Sequence, residues 1–97
     1  MKKLGLLATL KAKSGKENEV EKFIKGAVEL ARKEDETLTW YSFKIDADTF
    51  GIFDTFETEA ARDAHLNGEI ANALMENAER LLSESPDIKK INILSNK

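Results

Sequence analysis

The chain has 97 residues, with 15 basic and 18 acidic side chains, one histidine, no cysteine and a net charge of −3. This is the size of one domain with a single core. Interspersed charges exclude the footprint of a nucleic-acid binder, and the absence of any Lys/Arg run beyond two residues excludes a polybasic membrane patch.

Without cysteine there is no disulfide, thiol chemistry or thiolate metal site, and one histidine excludes a multi-histidine metal site within one chain. Thr9 and Lys11 interrupt the apolar start, so neither a signal peptide nor a membrane span is expected. The expected location is cytoplasmic, with which the lack of cysteine is compatible.

In chain order, Leu4, Leu6, Ala8 and Leu10 alternate with Gly5, Leu7, Thr9 and Lys11, a period-two run that predicts a first strand. Ser14-Gly15 breaks it. From Glu17 to Arg32 the residues Val20, Phe23, Ile24, Ala27, Val28 and Ala31 recur at three- and four-residue steps, the stripe of one amphipathic helix. Glu34-Asp35-Glu36 reads as a polar loop. Two β-rich runs follow, Leu38–Ile45 and Phe50–Phe56, around the turn-forming Asp46-Ala47-Asp48. The hairpin and its turn hold six of the seven aromatic rings: Trp40, Tyr41, Phe43, Phe50, Phe53 and Phe56. That concentration of apolar surface suits a pocket or an interface.

Thr58 is placed to cap a short helix through Leu66, stopped by Asn67-Gly68. A second segment, Glu69 to Ser83, carries Ile70, Ala73, Leu74, Ala78, Leu81 and Leu82 on one stripe. Ser85-Pro86 breaks the chain, and Ile88, Ile91 and Ile93 suggest a last strand from about Asp87 to Leu94. The order β-α-β-β-α-β, with its second helix split, is that of the ferredoxin-like α+β arrangement in one domain spanning 1–97. Apolar residues occupy both parities of the strands, as with Leu6 and Leu7, Trp40 and Tyr41, or Ile52 and Phe53. Helices cover only one sheet face, so a homodimer packed sheet on sheet is expected to cover the other.

These residues resemble the antibiotic-biosynthesis-monooxygenase family of dimeric α+β barrel proteins. The resemblance runs from Gly15-Lys16-Glu17 through Leu38-Thr39-Trp40-Tyr41 and TFGIFDTFETEAARDAHL to the closing strand. Its most specific part is the passage ending in Ala64-His65-Leu66. It implies the dimeric fold more firmly than a reaction, since such proteins include cofactor-independent quinol and phenol oxygenases, haem-degrading enzymes and others without known activity. Asp54-Thr55-Phe56 stands where many members have tryptophan third, and Ile70 where many have a second histidine. The Asn, Trp and His of the haem-degrading members do not map onto this chain.

His65 is the candidate catalytic residue, a base for a phenolic or quinol proton, against the alternative of a structural histidine binding the adjacent turn. Tyr41 and Phe43 are placed under the helices as an aromatic wall, and Trp40, on the opposite face, is left for the dimer seam. The expected pocket lies within each subunit between sheet and helices, lined by Tyr41, Phe43, Phe56, His65, Leu66, Leu74 and Asn72. Asn77, Met75 and Arg62 are further candidates, with stripe-edge, filler and solvated roles as alternatives. Asp46 and Asp48 read as turn residues.

No phosphate-loop, flavin, nicotinamide or nucleophilic-triad motif is present. An oxygenase on this chain needs no cofactor if an electron-rich phenol or quinol anion reduces dioxygen itself. The expected partners are accordingly a small aromatic molecule, dioxygen and a second subunit, with no nucleic acid and no membrane. The competing reading is a non-catalytic small-ligand-binding or regulatory dimer on the same scaffold.

Overall fold

The computed structural model describes residues 3–97. Its elements are β1 (Leu4–Lys11), α1 (Glu17–Gly26), α2 (Val28–Ala31), β2 (Thr37–Lys44), β3 (Thr49–Phe56), α3 (Glu59–Leu66), α4 (Glu69–Leu81) and β4 (Asp87–Asn92). They form a four-stranded antiparallel sheet in the order β2-β3-β1-β4. This is the expected ferredoxin-like α+β order with its split second helix.

The first helical stretch is split as well. Gly26 ends α1, and α2 adds one more turn beyond Ala27, because glycine weakens a helix where it stands. At the other end of the helical layer, Leu82 leaves α4 in an extended conformation and bridges to Ala12. Lys13 and Ser83 then bond across to Leu81 and Lys11, so the end of α4 is stitched to the end of β1.

Register decides which face of each strand is buried. Leu6, Ala8 and Leu10 pair with Asp54, Ile52 and Phe50, and all six point toward the helices. Leu10, Val20, Phe50 and Phe56 are fully buried there, each contributing on the order of 2 kcal/mol from burial. The hairpin turn is held as expected by Asp46, whose Oδ1 accepts from the amides of Asp48 and Thr49.

Strand β2 reverses one expectation. A bulge between Thr37 and Thr39 sets the pairing Trp40↔Asp54, Ser42↔Ile52 and Lys44↔Phe50. Trp40 therefore lies under the helices, packed on the clusters that contain Ile24, Ala27, Ala31 and Ile70. Tyr41 and Phe43 point to the open sheet face, opposite the assignment from sequence, because strand side chains alternate and Trp40 occupies the inner parity. Tyr41 is 57% and Ile45 58% exposed there. The ring of Phe43 lies over Gly51 and that of Phe53 over Gly5, where a β-carbon would crowd the rings.

Candidate functional site

His65 is brought inward by the short helix that carries it. The Thr58 hydroxyl caps α3 by accepting from the Ala61 amide at 3.1 Å. Ala61 and His65, four residues apart, then share the inner face of α3 and are both buried. The imidazole rests against Phe56, ring centroids 5.3 Å apart.

Two carboxylates hold the ring. Nε2 lies 2.7 Å from Asp54 Oδ2, and Nδ1 lies 2.5 Å from Glu34 Oε1. Asp54 is only 2% exposed and stands on the inner parity of β3 among Phe50, Ile52 and Phe56. Glu34 lies in the turn after α2, and its Oε1 also accepts from the Thr37 hydroxyl at 2.8 Å. Burial on its own would lower the His65 pKa. Hydrogen bonds and charge from Asp54, then from Glu34, outweigh it and hold the imidazole above the ordinary histidine value. Burial pushes the Asp54 carboxyl up, and His65 pulls it only part of the way back.

His65 forms the partition between two concavities. On one side a cavity of about 40 Å³ lies between the sheet and helices α3 and α4, walled by Leu6, Ile52, Asp54, Leu66, Ile70 and Leu74. On the other side an open groove of about 530 Å³ runs past Leu30, Glu34, Glu36, Ala61, Gly68 and Glu69. Among the described residues no group of three or more His, Cys, Asp or Glu is placed to hold a metal ion. No helix among them is long and apolar enough to cross a membrane.

The structure thus brings His65, Leu66 and Leu74 together at the cavity and sets Phe56 behind the imidazole. It does not bring Tyr41, Phe43 or Asn72 there. The first two are on the open face, and Asn72 is exposed on the outside of α4. Asn77 is spent on the Ala73 carbonyl and Arg80, while Met75 is exposed. Arg62 is buried rather than solvated and donates to the carbonyls of Gly5 and Ile91 at 3.5 and 3.3 Å.

Asp54 and Glu34 escaped the reading of the sequence. A carboxylate in phase with Phe50, Ile52 and Phe56 was a signal for the first. Glu34, inside a run of three acidic residues, offered none.

No protein-family model matches this chain, and no curated protein matches it. Among solved structures, a protein of unknown function from Nitrosomonas europaea is 47% identical, with a TM-score of 0.97 over 100% of this chain and 94% of that one. A Pseudomonas aeruginosa protein is 24% identical with a TM-score of 0.84, covering 98% of this chain and 97% of its own. A structure described as an antibiotic biosynthesis monooxygenase is 19% identical with a TM-score of 0.81, over 95% of this chain and 99% of that one. The chain belongs to the family of the Nitrosomonas europaea protein, and its fold is that of the antibiotic-biosynthesis-monooxygenase structures.

Proposed function

We propose that this protein is a cofactor-independent monooxygenase acting on a quinol or polycyclic phenol, working as a homodimer joined through the open sheet faces. The observation that carries the reading is a buried Asp54–His65 pair, its imidazole also held by Glu34, in the wall of a cavity whose other lining residues are aliphatic. Such a site desolvates a phenol and offers it a proton acceptor. A deprotonated, electron-rich ring can pass an electron to dioxygen. Conversion of a ring C–H of the phenol or quinol, the CH₂ of its keto tautomer, to C=O then places one oxygen atom in the product and releases the other as water, with the substrate supplying all four electrons.

The 40 Å³ cavity admits the hydroxyl end of such a molecule. Its ring parts Leu66, Ala71 and Ile88, the partly exposed residues that close the cavity. Apart from Asp54 and His65 the pocket wall is aliphatic, and the proposed dimer seam takes Tyr41 and Phe43, which share the open sheet face with Leu7, Phe53 and Ile91.

One observation favours the second reading, a non-catalytic small-ligand-binding or regulatory dimer. The cavity is small as it stands, and both nitrogens of His65 are already engaged. Oxygen uptake over a panel of hydroquinones, naphthohydroquinones and anthrones separates the two. The oxygenase reading predicts substrate-dependent uptake that falls by about a hundredfold or more in His65→Ala. Uptake no faster than the uncatalysed reaction leaves the binding reading in its place.

A further inference from the structure

We infer that Asp54, through its free oxygen Oδ1, is the atom that receives a ligand's hydroxyl proton, and that the cavity selects neutral protic ligands such as phenols over carboxylates and other anions. This rests on the proposed function for the identity of the cavity as the ligand site. His65 is then a positioning residue, acting through Asp54.

Lone pairs decide the assignment. An imidazole accepts a proton only at a nitrogen not already donating, and both nitrogens of His65 point at carboxylate oxygens. Asp54 spends Oδ2 on His65, whereas Oδ1 is buried without a hydrogen-bond partner. A buried acceptor left unpaired costs about 1–3 kcal/mol, so a ligand that supplies a donor recovers that penalty.

Asp54 also lines the cavity, where among the described residues His65 is the only other side chain with a polar group. The charged groups that act on Asp54 are His65 from α3 and Glu34 from the turn after α2. Among the described residues no Lys or Arg lines the cavity, and Arg62 is committed to the carbonyls of Gly5 and Ile91. An anion would meet two carboxylates with only one imidazolium between them. A neutral hydroxyl meets a free acceptor. In the transfer itself the ligand O–H bond breaks and Asp54 Oδ1–H forms, leaving a phenolate beside a neutral carboxyl and the His65 cation. Burial, which raises the Asp54 pKa, makes it the better base for this step.

Phenol and anisole share a ring and differ in the donor, so their affinities can be compared by NMR titration at pH 7. Wild type is expected to bind phenol about tenfold or more tightly than anisole, from one hydrogen bond to a charged acceptor. Benzoate should bind more weakly than either. In Asp54→Asn the preference should shrink to about threefold or less, while His65→Gln, whose amide can still donate to Oδ2, keeps it and His65→Ala reduces it.

Equal affinity for phenol and anisole in wild type overturns the role of Asp54 and leaves the cavity as a ligand site. An undiminished preference in Asp54→Asn overturns it in favour of another acceptor. Binding of neither compound overturns it together with the proposed function. Should Asp54→Asn not fold, the Asp54 carboxyl carbon resonance of the wild type decides. It should move with phenol and not with anisole, and no movement with phenol overturns the assignment.

Discussion

Glu34 Oε1 lies 2.5 Å from Nδ1 of His65 although 31 positions separate them, so the turn after α2 is pinned to the last turn of α3. In Glu34→Gln the amide oxygen can still accept from Nδ1–H, but the negative charge is gone. The expected outcome is a loss of about 1 kcal/mol in urea denaturation, the difference between a charged and a neutral acceptor. A fall in the His65 titration midpoint should accompany it.

Removing the imidazole should cost more. His65→Ala leaves the Asp54 carboxylate buried without its cation, and breaking a buried pair from one side costs about 3 kcal/mol or more. His65→Gln restores one donor to Asp54 and should recover part of the loss. Denaturant midpoints of the two variants, read against wild type with unchanged m-values, check the ranking.

The same pair sets a pH dependence. The folded state holds the His65 proton more tightly than the unfolded chain does, so its contribution is fully present below the ordinary value of 6.5. It is lost as pH rises through the higher folded value. Asp54 acts in the same direction, because its raised carboxyl also binds protons more tightly in the folded state. Thermal melts from pH 6 upward should therefore show falling stability, with a shallower fall in His65→Gln.

The open sheet face carries Tyr41 and Phe43 beside Leu7, Phe53 and Ile91, and a contiguous apolar patch of that kind calls for a partner. Light scattering at micromolar concentration should give the mass of a dimer. Tyr41→Asp should shift it toward monomer, since burying that charge against an apolar partner face is unfavourable. A wild-type monomer would remove the proposed seam.

The hairpin was legible in the sequence because Leu38–Ile45 and Phe50–Phe56 alternate around Asp46 and Asp48, whose turn bonds are the ones formed. Alternation, however, tells only which residues share a face. That Trp40 and not Tyr41 turns inward is set by its pairing with Asp54 after the Thr37/Thr39 bulge, a long-range fact no local pattern carries. His65 and Leu74 were visible as an isolated histidine and a helix stripe. Glu34 joins them only through the packing of the turn after α2 against α3, so its role appears in three dimensions alone.

His65 is a buried imidazole clamped between the carboxylates of Asp54 and Glu34, and its charge can be read directly because the chain has a single histidine. A pH titration of the ¹⁵N-labelled imidazole by NMR reports both ring nitrogens of that one residue. Both should stay protonated past pH 6.5, with a midpoint above that value and a downward shift in Asp54→Asn. A midpoint at or below 6.5, with one nitrogen already bare at neutral pH, would rule out the doubly clamped cation.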